Sequence, residues 1–224
     1  ARCRGQGAEA LQLAAVASTQ DLQGVVSVSA SEMVAARLLP RVVQRLAARA
    51  PGLVVQVVAT DDLSDLQRRE ADIAVRHVPP QQPELIGRLL REASAGFYAS
   101  RTWVQAHGHP RSAADAARCS FVGVDRAGRY LAYLQQLGLP LAERQFSCYA
   151  DHGLAHWALV RAGLGIGAMM DELVTDEPDI VRVLDEVPPV RFPIWLVTHR
   201  GLRTTRRIRT VFDLLAQSLA APAA

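Results

Sequence analysis

Apolar runs of strand length alternate with helical patterns over residues 24–77. Gly24-Val25-Val26-Ser27-Val28-Ser29 is rich in β-branched residues and predicts a strand. Ser31 then opens a helical pattern. Val34, Leu38, Val42 and Leu46 recur in it every four residues, and Leu39 and Val43 widen the stripe. Pro40 inside this pattern predicts a kink, and Pro51-Gly52 a stop. Leu53-Val54-Val55-Gln56-Val57-Val58 reads as a second, buried strand. Thr60-Asp61-Asp62 opens a short helix to about Glu70, and Asp72-Ile73-Ala74-Val75-Arg76-His77 is a third strand. Strands alternating with helices imply right-handed crossovers and parallel pairing. Ligands of such sheets bind at the carboxyl ends of the strands. Ser29 and Ser31, Thr60 with Asp61 and Asp62, and Arg76 with His77 fall at those ends.

Val78-Pro79-Pro80-Gln81-Gln82-Pro83 is a loop, because a strand interior does not tolerate these prolines. Beyond it, short strands are expected over residues 85–90, 95–99 (ending at Ser100), 120–124 (ending at Asp125), 145–150, 166–169, 181–184 and 192–198. Helices are expected over 103–107, 112–117, 130–137, 153–162 and 205–219, with Asp151 capping the fourth beside His152. This order predicts two lobes: residues 23–98 with 195–224 form the first, and 99–194 form an inserted second. Two strands connect them as a hinge. Residues 8–18 are rich in Ala and Leu and read as the tail of a connecting helix, so 1–22 stand apart.

Composition narrows the class of protein. Half of the 224 residues are hydrophobic and 21% are charged, as in an ordinary folded chain of one large or two small domains. All 25 cationic residues are arginine, yet the net charge of +3 is too weak a signal for nucleic-acid binding. No apolar run reaches the ~20 residues that span a membrane, and the first residues lack the apolar core of a signal peptide. A cytoplasmic chain cut from something longer is the expectation. Cys3, Cys119 and Cys148 are odd in number and widely spaced, with no zinc spacing, so buried structural thiols and no metal are expected.

Six passages, in order, resemble the effector-binding domain of LysR-type transcriptional regulators. They are Ser29-x-Ser31 followed by Leu38-Leu39-Pro40; Arg49-Ala50-Pro51-Gly52-Leu53; Leu66-x5-Asp72-Ile73-Ala74-Val75-Arg76; Phe97-Tyr98-Ala99-Ser100 with Gly108-His109-Pro110 and Ala113-Ala114-Asp115; Val160 through Met169, which carries Gly163-Leu164-Gly165; and Trp195-Leu196-Val197-Thr198-His199. The resemblance spans Gly24 to Leu219. It implies a two-lobed α/β fold like the type II periplasmic binding proteins, with mixed sheets, a two-strand hinge and a small-molecule effector between the lobes. It also implies dimers or tetramers, and DNA contact only through a winged helix-turn-helix for which this chain has no room. Two positions depart from the family pattern: Met33 stands where a second hydroxyl is common, and Met169-Met170 where proline is usual.

The candidate effector contacts are Ser29, Ser31, Thr60, Asp61, Arg76, His77, Ser100, Asp125, Asp151 and His152. Each has a structural alternative. Ser31, Thr60 and Asp151 are also plain caps. Arg76 suits a bidentate carboxylate, or a salt bridge to Asp61 or Asp62. Ser100 serves equally as a ligand contact or a structural residue. His152 is a ligand contact or a pH sensor. Asp61 accepts from a ligand amine or hydroxyl, or neutralises Arg76. Together they suggest a small anion, with no cofactor. Gly163-Leu164-Gly165-Ile166-Gly167 follows a helix, so it lacks the strand-to-helix context of a dinucleotide site and reads as a tight turn. There is no nucleophile elbow and no His-Glu-x-x-His, so no enzyme is expected. A transporter's solute-binding protein and an enzyme on a related fold remain the rival readings.

Overall fold

A computed structural model describes residues 22–60 and 71–221 of the chain. The connecting helix at 8–18, the short helix over 61–70, and Asp61 and Asp62 themselves lie outside the described residues. Contacts divide the chain into two compact units, residues 1–91 with 193–221 and residues 92–192.

The first unit is built on parallel strands. β1 (Gly24–Ala30) pairs in parallel with β2 (Leu53–Ala59), from Gly24 on Leu53 to Ala30 on Ala59, and also with β3 (Ile73–Arg76). β3 then pairs antiparallel with β9 (Val190–His199), and β4 (Leu85–Ser100) follows in the strand order. The sheet is therefore mixed.

The helical stripe after Ser31 is buried as expected, with Val34, Leu38, Val42 and Leu46 all under a tenth exposed. It is carried on two helices, α1 (Glu32–Arg37) and α2 (Leu39–Arg49), not on one kinked helix. The break falls at Leu38, and Pro40 occupies the first turn of α2, where its missing N–H has no intrahelical partner to lose. The C-terminal helix α7 (Arg206–Leu219) packs on α2 and buries Ile208, Val211, Phe212 and Leu215. Full burial of each such side chain contributes ~1.5–3 kcal/mol.

Two strand expectations need correction. β2 is an edge strand, with Val54 59% and Val57 41% exposed, so its apolar run does not mark burial. Leu85–Leu90 and Ala95–Ala99 belong to one 16-residue strand. Nothing between them breaks a strand, since Arg91, Glu92 and Ser94 are only polar.

In the second unit, β4 carries β7 (Gly167–Met170) and β8 (Ile180–Val183), both antiparallel. β5 (Phe121–Gly123) and β6 (Phe146–Tyr149) form a separate parallel pair, and Phe121 bridges to Ile166. The helices α3 (Arg101–His107), α4 (Ala113–Ala116), α5 (Arg129–Gln136) and α6 (Gly153–Arg161) surround a core that includes Phe97, Trp103, Phe121, Leu134, Ile166 and Val183.

The glycine passage after α6 is a turn, as its context requires. Gly163 takes φ +83°, and a Cβ at Gly165 would lie 2.8 Å from the Ser120 carbonyl oxygen. Ile166 donates its N–H to that same carbonyl at 2.9 Å, so the close approach is part of how β5 is seated. Because the obstacle is backbone, Gly165→Ala is expected to destabilise the chain by at least ~1–3 kcal/mol. Chemical denaturation of the purified variant checks this, and an unchanged midpoint would contradict it.

Candidate functional site

The parallel register brings the sequence-predicted groups of the first unit together. Ser29 and Ser31 end β1, Thr60 follows β2, and Arg76 and His77 end β3, so these neighbouring strands deliver them to one end of the sheet. The Thr60 N–H donates to the Ala30 carbonyl at 2.9 Å and ties two of these ends directly. Ser29 pairs with Ala74, and Arg76 lies two residues on, so Ser29 and Arg76 share a face. The Arg76 Nη2 donates to Ser29 Oγ at 2.7 Å, and Nη1 to the Val75 carbonyl at 2.9 Å. Arg76 is only 6% exposed and Ser29 is fully buried. A buried guanidinium costs several kcal/mol unless it is well paired, so this is not a solvated surface arginine.

Ser31 occupies the N-cap position of α1, but its side chain makes no capping hydrogen bond. Its hydroxyl is therefore not committed to the helix. Ser100 does cap: its Oγ accepts from the Trp103 N–H at 3.2 Å and lies 2.9 Å from Thr102 Oγ1, with the residue 3% exposed.

The other second-unit candidates divide. Asp125 accepts from the N–H groups of Arg129 at 3.1 Å and Tyr130 at 2.9 Å. Desolvation pushes its carboxyl up, but these bonds outweigh it and hold it below the usual carboxylate range. Asp125 also lines a pocket of about 200 Å³ floored by Tyr130, Phe146 and Tyr149, with Arg126 and Glu143 beside it. Asp151 is not the cap of α6; His152 holds that position without a side-chain cap. Both side chains are open to solvent, with His152 Nε2 4.0 Å from Asp151 Oδ1.

Sequence reasoning missed three polar arrangements. Asp72 accepts through Oδ2 from the Ser27 N–H at 2.9 Å and from Ser27 Oγ at 3.1 Å, and its own N–H donates to Ser27 Oγ at 2.9 Å. This pins β3 on β1. In the second unit Asp171 accepts from Ser94 Oγ, from Tyr98 Oη at 2.6 Å and from Arg182 Nη1 at 3.4 Å. Burial, then the Asp171 carboxylate, drives the Tyr98 phenol well above its ordinary range. Glu177 accepts from Trp157 Nε1 at 2.8 Å and pairs with Arg161 at 3.2 Å. These partners lie up to 77 residues apart, so no local spacing signals them. The cysteine expectation also changes: Cys119 and Cys148 are free but only half-buried, with Cys119 packed against the margin of the second unit's core; Cys3 lies outside the described residues.

The family described as the LysR substrate binding domain matches residues 19–220. The chain belongs to that family. It is the effector-sensing domain of a LysR-type transcriptional regulator. Among solved structures it resembles the regulatory domain of CrgA, a LysR-type regulator from Neisseria meningitidis, at 23% identity over 88% of this chain and 99% of that one, with a TM-score of 0.75. It also resembles full-length AphB, the Vibrio cholerae virulence activator, at 16% identity over 98% and 78%, TM-score 0.70. Full-length CbnR, solved with its target DNA, aligns at 16% identity over 95% and 79%, TM-score 0.66. No curated protein matches the chain. These likenesses agree with the mixed α/β, periplasmic-binding-protein-like fold. No described helix is long and apolar enough to cross a membrane.

One buried titratable group lies outside the candidate set. His156 on α6 is 3% exposed, with Nε2 3.2 Å from the Val122 carbonyl. Burial lowers its pKa, and the carbonyl offsets this only in part. The unfolded chain therefore binds a proton more readily than the folded one. The stabilisation is complete above the ordinary histidine pKa of about 6.5 and is lost as pH falls through the depressed folded value. Denaturation midpoints measured between pH 8 and pH 5 are expected to fall on the acid side. His156→Gln is expected to flatten that fall by up to ~1.4 kcal/mol per pH unit, the limit for one proton. An identical slope in the variant would assign the acid sensitivity to other groups.

Proposed function

We propose that the domain binds a small anionic effector at the carboxyl ends of β1, β2 and β3, and that it works as an antiparallel side-by-side dimer in the cytoplasm. The observation that carries the effector reading is Arg76, a buried cation at a strand end, held by Ser29 and neighboured by Ser31 and Thr60. Helix starts and strand ends of this kind favour anions. Ser31, His77 and Thr60 supply further polar contacts from the first unit. Asp125, Asp151, His152 and Ser100 are the second-unit candidates, with Ser100 already used as a cap. Asp61 stays in the proposed set as an acceptor toward the ligand or Arg76.

An effector acts on transcription only by preferring one conformation of the regulator over another. DNA contact belongs to a winged helix-turn-helix, and we assign it to a segment other than these 224 residues. CbnR, as a full-length relative, was solved on its target DNA. A transporter's solute-binding protein is the weaker alternative because the family match is to a regulator domain.

Titration calorimetry with an effector found by screening tests the site. Ser31→Ala is expected to weaken binding by ~1 kcal/mol, the scale of one neutral hydrogen bond, and more if the acceptor is charged. Its folding stability is expected to stay within ~0.5 kcal/mol of the parent, because the side chain makes no cap. Equal affinities would remove Ser31 from the site.

The dimer reading rests on charge and on exposed apolar positions. Residues 1–91 and 193–221 hold 16 arginines and 10 acidic residues, a net +6, whereas residues 92–192 hold 9 and 12, a net −3. Opposite charge favours the first unit of one copy against the second unit of its partner. The stripe on α1 and α2 is consumed by the core, so the apolar contacts fall to Val25 and Val54, which share a face, on one unit and Leu154 on α6 of the other. Sedimentation is expected to show a dimer at micromolar concentration that weakens as salt rises. A monomer at high micromolar concentration would count against it.

A further inference from the structure

The second unit holds the pocket of about 200 Å³ beside Asp125, formed between the start of α5 and β6. Tyr130, Phe146 and Tyr149 give it an aromatic floor, and Leu131 adds an aliphatic wall. The Phe146 and Tyr149 rings stack with centroids 5.6 Å apart, and Tyr130 meets Phe146 edge-on at 6.2 Å. Gly123 on β5 makes room for this floor, because a Cβ there would lie 2.6 Å from Tyr149 Cε1 and 3.0 Å from Phe146 Cδ1. The charged residues lining the pocket are Asp125, Arg126 and Glu143. Backbone N–H groups of Arg129 and Tyr130 hold the Asp125 carboxylate in place and keep it ionised. Arg126 and Glu143 are exposed, and neither side chain is in an ion pair among the described residues.

Each of these features selects a ligand property. Aromatic rings in stacked and edge contacts reward a flat apolar body. Two carboxylates favour an ammonium group, and a guanidinium pairs best with a planar carboxylate. A plain anion of the same shape would meet the charges of Asp125 and Glu143, and a plain cation would meet that of Arg126. A ligand that carries an ammonium and a carboxylate close together, beside an apolar group, answers all of the lining at once.

We propose that this pocket takes a free α-amino acid with an aromatic side chain, its ring on the Tyr130, Phe146 and Tyr149 floor, its ammonium toward Asp125 and Glu143, and its carboxylate toward Arg126. This is a second ligand site, beyond the anionic effector proposed for the first unit. Its lining belongs to the second unit, and of the candidate effector contacts Asp125 lines it.

L-Phenylalanine is the probe, titrated into the whole 224-residue chain by calorimetry. Phenylethylamine lacks its carboxylate, 3-phenylpropanoate lacks its ammonium and L-alanine lacks its ring, so each removes one of the three selected groups. L-Phenylalanine is expected to bind at least about fivefold tighter than any of them, the scale of one lost charge-assisted bond at a partly wet site or one lost apolar contact. Arg126→Gln is expected to weaken L-phenylalanine about threefold or more and to remove its advantage over phenylethylamine. Glu143→Gln is expected to do the same and to remove its advantage over 3-phenylpropanoate. Both side chains are exposed, so the variants are expected to keep the parent's thermal midpoint in the absence of ligand. Ser31→Ala is expected to leave L-phenylalanine binding unchanged, because Ser31 belongs to the first unit. No saturable binding of L-phenylalanine at millimolar concentration would overturn the pocket, as would equal binding of any comparison compound or unchanged binding in both Arg126→Gln and Glu143→Gln. Weakening by Ser31→Ala would move the amino acid to the first unit and overturn it too. A screened anion weakened by Ser31→Ala and unaffected by Arg126→Gln would leave the first-unit effector reading standing whatever becomes of this pocket.

Discussion

The hydrogen bonds between Asp72 and Ser27 fix where β3 sits along β1, and the first unit's site depends on that register. Side chains alternate along a strand, so a slip of one residue would move every group to the opposite face. In the observed register Ser27, Ser29, Asp72, Ala74 and Arg76 share one face, while Val28, Ile73 and Val75 share the other and are buried. One face can then be polar at its carboxyl end without disturbing the apolar side. The Asp72 carboxylate is thus a structural residue lying next to functional candidates. Thr198 adds a further tether by donating to the Asp72 carbonyl at 2.7 Å, which holds β9, and with it Trp195, beside β3.

The second unit solves a different problem. Its sheet edges meet at short strands of three or four residues, too short for ladder hydrogen bonds alone to fix them. Close backbone approach and buried polar groups take over. Gly165 lets the turn after α6 press against Ser120, and Gln145 Nε2 donates to the Ala116 carbonyl at 3.0 Å. Asp171 gathers donors from two positions of β4 and one of β8. A network of this kind is stabilising only when every member is satisfied. Tyr98 therefore keeps its proton, and its hydroxyl serves as a donor.

Much of the fold was legible because it is written in local periodicity. The stripe from Val34 to Leu46, the β-branched run of β1 and the Asp72–Arg76 strand each carry their own signal within a dozen residues. Errors came where the deciding term is not local. Val54 and Val57 look buried by composition, but edge position is a property of the sheet order, which no run of residues encodes. Asp151 is a better capping residue than His152 by type, yet the path of the backbone puts His152 at the cap position. Ser31 was correctly placed at a helix start, yet the cap it is chemically able to make is not made. For the site, strand ends were predictable and side-chain partners were not. Arg76 was recognisable as a candidate, whereas its burial and its bond to Ser29, 47 residues away, needed the fold.

Burial changes what Arg76 means. An exposed arginine in a chain with 25 of them carries no information, since a surface ion pair is worth at most ~1 kcal/mol and many are worth nothing. A guanidinium that is 6% exposed has lost most of its water, and its hydrogen bonds to Ser29 and to the Val75 carbonyl are part of what compensates it. The same energetics make it selective. An anion entering its surroundings meets a charge that is only weakly screened, so the attraction is larger there than at any of the arginines along α2 or α7. A hydrated cation or a neutral polar solute gains nothing comparable. In the effector site we propose, ligand discrimination follows from the buried charge of this one side chain.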